Sequence, residues 1–135
     1  VASSAGRGFI VPEDETVAQT RNGRQVLNLA KGEKAAACAV VSDGADSVAV
    51  IGENRKLVIF PIGEVPEMTR GRGVILQKYK DGGLSDVKAF IRKDGLSWAQ
   101  GDNRTRTETD LRPWIGKRAQ AGRLPPTGFA RSNKF

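Results

Sequence analysis

Short apolar runs separated by turn-forming residues dominate the chain. In its middle third they occupy residues 48–51, 56–60, 73–76 and 87–91. Each run has the length of a β-strand and is rich in the β-branched and aromatic residues that strands favour. Helical periodicity of the apolar positions is weak, and residues 109–117 allow one short helical turn at most. The pattern therefore predicts an all-β protein.

Turn signals stand between these runs. The sequence Gly-Glu-Asn-Arg at residues 52–55 predicts the turn of a hairpin that joins the first two strands. Glycine-containing segments at residues 81–83 and 93–95 predict two further turns. Four strands and their turns thus fill a unit of about 49 residues.

The chain resembles itself at a shift of 49 residues, without a gap. A third, degenerate copy reaches the end of the chain, where residues 118–124 match residues 70–76 only loosely. The shift superimposes Ile10 on Ile59, Pro12 on Pro61, Thr20 on Thr69, Arg21 on Arg70, Leu27 on Leu76, and residues 52–55 on residues 101–104.

A four-stranded repeat of this length is typical of a propeller blade, which must stack on its neighbours to bury both faces. We expect one repeat domain with approximate blades at residues 1–45, 46–94 and 95–135. The strand that would match residues 48–51 falls largely before Val1, which is not a methionine. Further blades upstream and a strand exchanged between blades both explain this. Residues 123–135 are basic and marked by Pro and Gly, which predicts a partly ordered tail.

Two loops place arginines around a glycine immediately before a strand. One is Arg70-Gly71-Arg72-Gly73, and the other is residues 21–24 at the same place in the preceding copy. Arginine grips phosphate bidentately, and glycine allows tight turns and close backbone approach to a ligand. The recurrence favours a phosphate clamp over a surface turn with solvated arginines.

A second basic series follows the hairpin turn of each repeat, at Arg55, Lys56, Arg104 and Arg106. On a propeller-like array these positions would form a curved basic rim. Charges also protect exposed strand edges from pairing with other chains. The sequence leaves both interpretations open.

The charge balance points to a polyanionic partner. The 135 residues carry a formal net charge of +7 and a pI near 10.0. Nucleic acid is the commonest partner of such a chain, the alternative being a basic protein with a solvated positive surface. No apolar run approaches the roughly 20 residues that span a bilayer, so no membrane is expected as a partner.

Catalytic and metal-binding chemistry finds little support. The chain has no histidine and one cysteine, Cys38, which excludes the usual zinc sites and every nucleophile–histidine pair. We expect Cys38 to be buried in its apolar run, and Tyr79 to be a strand-end core residue. Trp98 and Trp114 do not accompany the basic loops, which favours duplex over single strands. No cofactor is expected.

Longer motifs resemble a known family. Residues 52–56, 66–74 and 76–82 resemble the C-terminal domain of the A subunit of topoisomerase IV, a type IIA DNA topoisomerase. Residues 116–126 and 128–129 look like its C-terminal end in α-proteobacteria. The resemblance implies a β-pinwheel, a propeller-like array whose blades exchange strands and whose basic outer edge bends duplex DNA. The related gyrase protein carries a Gln-Arg-Arg-Gly-Gly-Lys-Gly box, and residues 69–73 match it only partly. This departure argues against full DNA wrapping.

The resemblance further implies a non-catalytic domain that presents the transported DNA segment for decatenation or relaxation. The cleaving tyrosine would lie upstream, and the topoisomerase IV B subunit with a second A subunit would complete the enzyme. The location would be the bacterial cytoplasm, at the nucleoid. The alternative is a basic β-repeat module that docks an acidic partner protein. The predicted DNA contacts are Arg21, Arg24, Arg55, Lys56, Arg70, Arg72, Lys78, Arg104, Lys117 and Arg118.

Overall fold

The computed structural model describes residues 1–16, 23, 25–101 and 103–135. In these ranges the regular structure consists of β-strands and single turns of 3-10 helix, and the predicted all-β class is confirmed. The strands are β1 (Ala2–Ser3), β2 (Arg7–Gly8), β3 (Ala35–Ala37), β4 (Ser47–Gly52), β5 (Leu57–Pro61), β6 (Val74–Ile75), β7 (Leu84–Phe90), β8 (Leu96–Ala99) and β9 (Thr105–Glu108). The 3-10 turns lie at Glu13–Thr16, Ile62–Glu64, Arg92–Asp94 and Arg112–Trp114. The last of them is the short turn expected within residues 109–117.

The hairpin of β4 and β5 forms the centre of the molecule. It pairs antiparallel as the sequence predicts, and Arg55 in its turn adopts a positive φ of 64°. Side chains of β4 alternate between two cores: Val48 and Val50 face one, while Ala49 and Ile51 face the other. Both faces of this sheet are therefore buried, which explains why the run is continuously apolar and does not alternate.

Each of the two cores joins the central sheet to a different part of the chain. The first combines Val48, Val50, Val58 and Phe60 with Ala2, Leu76 and Leu84. The second combines Ala49, Ile51, Leu57 and Ile59 with Phe90, Leu96, Trp98, Leu111 and Phe129. One repeat thus buries both faces by stacking on its neighbours.

Strands are exchanged between repeats. The four-stranded sheet has the order β3-β1-β2-β6, in which β6 belongs to the second copy and the other strands to the first. The sheet β5-β4-β7 receives a bridge from Arg123 of the third copy to Leu57. The register repeats at the same shift: Gly8 opposes Val74, and Leu57 opposes Arg123, 49 residues further on.

The C-terminal residues pack against the body of the protein, whereas the sequence predicted a partly ordered tail. Phe129 is 4% exposed, lies 5.1 Å from the Trp98 ring and meets Phe135 edge-on at 5.6 Å. The Phe135 backbone N–H donates to Asp86 Oδ2 at 3.0 Å. Aromatic burial therefore anchors this segment despite its Pro and Gly content.

The expected burial of Cys38 is wrong, because Cys38 is exposed. Strand β3 ends at Ala37, and the residues that follow leave the sheet. Val40 is accordingly 73% exposed. An apolar run predicts burial only where a neighbouring layer covers it.

Candidate nucleic-acid interface

The backbone of the first copy fixes the loop that carries Arg70 and Arg72. Gly71 N–H donates to the Val26 carbonyl at 3.0 Å, and the Gly71 carbonyl accepts from Asn28 N–H at 2.8 Å. Both arginines are exposed on this framework. The loop therefore presents two guanidinium groups from a hydrogen-bonded base.

Gly73 serves the fold at this site. It adopts a φ of 77°, and a Cβ there would collide with the Gly8 carbonyl oxygen. Gly122, its counterpart 49 residues later, has a φ of 84°, and a Cβ there would collide with the Leu57 carbonyl oxygen. The sequence pattern suggested that this glycine admits a ligand, but in the structure a neighbouring strand occupies that place.

Arg72 is paired with Glu33 of the first copy. Its Nη2 donates to Glu33 Oε2 at 3.4 Å, and the side chains are 48% and 5% exposed, respectively. The Ala30 N–H donates to the same oxygen at 2.9 Å. The Ser3 hydroxyl is the largest influence lowering the pKa of Glu33, although Ser3 Oγ and Glu33 Oε1 lack full hydrogen-bond geometry among the described residues. No local pattern signals this pair, whose partners lie 39 residues apart.

Arg55 is engaged within the protein. Its Nη1 donates to the Ala130 carbonyl at 3.0 Å and to Asn133 Oδ1 at 2.8 Å. The guanidinium also lies 6.0 Å from the centre of the Phe129 ring. Arg55 therefore holds the C-terminal residues against the central hairpin.

Arg118 is engaged in a similar way. Its Nη1 donates to the Ile75 carbonyl at 2.8 Å, and its backbone N–H donates to Glu64 Oε1 at 3.0 Å. The side chain is half-buried. Arg118 thus links the third copy to β6.

The structure brings three other predicted segments together around Gln77. This side chain is fully buried, and its Nε2 donates to the carbonyls of Lys56 at 2.8 Å and Ala121 at 2.9 Å. Lys78 N–H donates to the carbonyl of residue 120 at 3.4 Å. The segments that carry Lys56, Lys78 and Lys117 are therefore joined, and all three lysines are exposed. Gln77 escaped sequence reasoning, although a lone amide between apolar residues and a lysine was its signal.

The remaining predicted contacts lie apart from this group. Arg104 is exposed at the hairpin of β8 and β9. Arg21 and Arg24 lie outside the described residues. Exposed cations that sequence reasoning did not select are Lys31, Lys34, Lys80, Arg92, Lys93, Arg106, Arg112, Arg123, Arg131 and Lys134.

The aromatic side chains serve the core. Trp98 is 1% exposed, and the indole N–H of Trp114 donates to the Leu124 carbonyl at 2.6 Å. Tyr79 packs against the first core, as expected, and burial raises the pKa of its hydroxyl. These positions leave phosphate contact by exposed cations as the chemistry that the surface supports.

Membrane and metal sites were searched within the described ranges. There, no helix combines the length and the apolar character needed to cross a membrane. No cluster of three or more His, Cys, Asp or Glu residues in the same part of the chain is arranged to hold a metal ion.

The sequence is similar to several curated proteins. The A subunit of DNA topoisomerase 4 from Rickettsia bellii is 47% identical over 135 residues, which cover 100% of this chain and 18% of that protein. The protein of the same name from Caulobacter vibrioides is 44% identical over 135 residues, 100% of this chain and 17% of the relative. The chain thus spans less than a fifth of the length of these relatives.

Solved structures share the fold. The Escherichia coli ParC C-terminal domain matches with a TM-score of 0.75 at 20% identity, covering 93% of this chain and 54% of that chain. A C-terminal domain of DNA topoisomerase IV matches with a TM-score of 0.67 at 17% identity, covering 91% and 39%.

A family model matches more than half of the chain. It describes the DNA gyrase C-terminal domain, beta-propeller, and covers residues 1–42 and 46–85. The resemblance noted in the sequence and the propeller-like fold are thereby confirmed. The chain belongs to the family of DNA gyrase C-terminal domains, whose fold is a β-propeller.

Proposed function

We propose that this chain is the duplex-binding part of a topoisomerase IV A subunit, which holds and bends DNA on a basic outer surface. The observation that carries the proposal is the exposure of Arg70 and Arg72 on a loop that hydrogen bonds fix to the neighbouring repeat. Similarity over the whole chain to the A subunit of DNA topoisomerase 4 supports it. The net charge of +7 supplies a long-range attraction for DNA.

Contacts to the phosphate backbone position a protein on DNA without reading its sequence. We assign this role to the exposed cations among the predicted contacts, which are Lys56, Arg70, Arg72, Lys78, Arg104 and Lys117. Arg21 and Arg24 are included on their sequence pattern alone. Arg55 and Arg118 are assigned to the framework, because protein acceptors already occupy their guanidinium groups.

In the whole topoisomerase, the domain would present the transported segment for decatenation or relaxation. Approximate blades at residues 1–45, 46–94 and 95–135 would carry the basic rim. The DNA-cleaving tyrosine would belong to an upstream domain, and the B subunit with a second A subunit would complete the enzyme. Its place of action would be the bacterial cytoplasm, at the nucleoid.

The test is duplex binding measured by fluorescence anisotropy over a range of salt concentrations. If about five phosphates are contacted, log affinity falls by roughly 4 to 5 per decade of salt. Arg70→Ala with Arg72→Ala removes two contacts, so it should weaken all duplexes alike and reduce the slope by about 2. A flat salt response of the wild type would overturn the proposal.

A matched control separates loop contacts from general charge. Lys93→Ala with Arg131→Ala also removes two exposed cations, from segments outside the predicted loops. It should lower affinity less than the loop variant does. Equal losses would indicate charge alone, and tighter binding to an acidic polypeptide than to duplex would favour an acidic protein partner.

Bending has its own readout. Dyes at the two ends of a short duplex should approach one another when the domain binds, and energy transfer between them should rise. An unchanged signal at saturation would retain DNA binding and remove bending from the proposal.

A further inference from the structure

One carboxylate is placed against the predicted phosphate-binding loop at residues 69–73. Glu33 reaches Arg72 across the boundary between two repeats, with an Nη2–Oε2 distance of 3.4 Å. Arg72 is 48% exposed, so part of its guanidinium still faces solvent. Arg70, two residues earlier on the same loop, is exposed and forms no ion pair with a carboxylate of the described residues.

Glu33 is held in place independently of Arg72. Its side chain is only 5% exposed, and Oε2 accepts a hydrogen bond from the Ala30 N–H. The Ser3 hydroxyl and the Ala30 N–H are the two largest causes that lower the pKa of the carboxyl, which therefore stays ionised at neutral pH. A fixed anion thus stands beside a solvent-facing cation.

The pair is peculiar to this loop. At the 49-residue shift, the counterpart of Glu33 is Gly82 and the counterpart of Arg72 is Ala121. Neither counterpart carries charge, so the third copy has no equivalent contact. A framework role common to all repeats does not explain the pair.

Carboxylate and phosphate oxygens compete for the same guanidinium edge, because both accept charge-assisted hydrogen bonds in similar geometry. We propose that Glu33 is an internal competitor of the DNA backbone: a phosphate must displace its carboxylate from Arg72 before it can bind this loop. The inference rests on the proposed duplex binding.

Displacement carries two costs. Glu33 loses its cation while its carboxylate stays largely buried, and a buried charge without a partner is unfavourable. The carboxylate also remains close to the incoming phosphate and repels it. Both costs require the negative charge of Glu33, and both vanish when the side chain is neutral.

The test is a double-mutant cycle on duplex binding with Glu33→Gln, Arg72→Ala and the combined variant. Glutamine keeps the size of the side chain and an acceptor for the Ala30 N–H. Glu33→Gln should tighten binding about threefold to fivefold, the range of a partly exposed ion pair. In the Arg72→Ala background the same substitution should give no such gain.

A charge-matched control accompanies the cycle. Glu67→Gln removes one exposed carboxylate at the entrance to the same loop. Its gain should be smaller than that of Glu33→Gln and independent of Arg72. Equal gains from the two substitutions, or a Glu33→Gln gain that persists without Arg72, would overturn the inference.

Failure of the inference and failure of the proposed function give different results. Salt-steep binding that Arg72→Ala weakens and Glu33→Gln leaves unchanged removes the competitor role alone. Salt-independent binding of the wild type removes both. If thermal melting shows that Glu33→Gln is destabilised, Glu33→Asp replaces it; this variant withdraws the carboxylate from Arg72, and its gain should also disappear in the Arg72→Ala background.

Discussion

Two loops related by the 49-residue shift share a framework and differ in how they use charge. In residues 69–73 the arginines are exposed, and in residues 118–122 Arg118 is half-buried on the Ile75 carbonyl. Gly73 and Gly122 close the two loops in the same way, with positive φ values and a strand carbonyl against the Cα.

The difference shows that the repeat specifies a backbone and leaves its side chains free to change role. One loop directs its cations to solvent, where they can meet phosphate. The other directs its cation to a carbonyl of the neighbouring strand and stabilises the stacking of repeats. A basic residue at a repeat position therefore does not by itself define a binding residue.

The largest expected effect concerns the shared framework. Gly73→Ala and Gly122→Ala should each lower the free energy of unfolding by about 3 kcal/mol, because the Cβ meets backbone atoms and the φ is left-handed. Gly32→Ala is the matched control, since Gly32 has a φ of 82° with no atom within 4 Å of the added Cβ. It should cost about 1 kcal/mol. Urea unfolding followed by circular dichroism measures all three.

Similar losses at Gly73 and Gly32 would mean that the close approach to Gly8 adds nothing to the cost of a left-handed residue. Different losses at Gly73 and Gly122 would show that the two loops do not share one framework.

The next effect separates the two uses of arginine. Arg118→Ala should lower the free energy of unfolding by about 1 to 2 kcal/mol, because a half-buried guanidinium loses its bond to the Ile75 carbonyl. Arg70→Ala should leave stability within about 0.5 kcal/mol, as expected for an exposed side chain without such a bond. Chemical denaturation compares the two variants, and a destabilised Arg70→Ala would contradict the assignment of that residue to the surface.

The smallest effect lies at Asp110, outside both loops. Arg112 donates to its carboxylate from Nε at 2.8 Å and from Nη2 at 2.9 Å, and these bonds lower the pKa of Asp110 to about 2. A folded-state pKa below the unfolded value gives stability that is complete above the unfolded pKa of about 3.9 and is lost as pH falls through about 2. The contribution is small because the pair is exposed. An NMR titration of the Asp110 carboxyl measures the pKa, and Arg112→Ala should return it to near 4; an unchanged value would refute the stated cause.

Much of the fold could be predicted from the sequence. The strand at residues 48–51, the turn at residues 52–55 and the following strand are local patterns of apolar and turn residues, and the structure contains them. The shift of 49 residues related the copies, and the registers of Gly8 with Val74 and Leu57 with Arg123 repeat it. Patterns of this kind depend on neighbours in sequence, so they can be seen without coordinates.

Less of the candidate site could be predicted. The sequence placed Arg70 and Arg72 on a loop before a strand, and the structure exposes both. The same pattern assigned Arg55 the role of Lys56, although Arg55 is bound to Ala130 and Asn133, which lie more than 70 residues away. Contacts at such separations leave no trace in local composition.

The sequence by itself determined that this chain would form β-strands in repeated units with a basic surface, because strand length, turn chemistry and charge are properties of short segments. Only the tertiary structure decided which strand completes which sheet, which arginines remain exposed and that Glu33 lies against Arg72. Those outcomes depend on burial and on distances between residues far apart in the chain. Packing of neighbouring repeats sets both, and no local pattern encodes it.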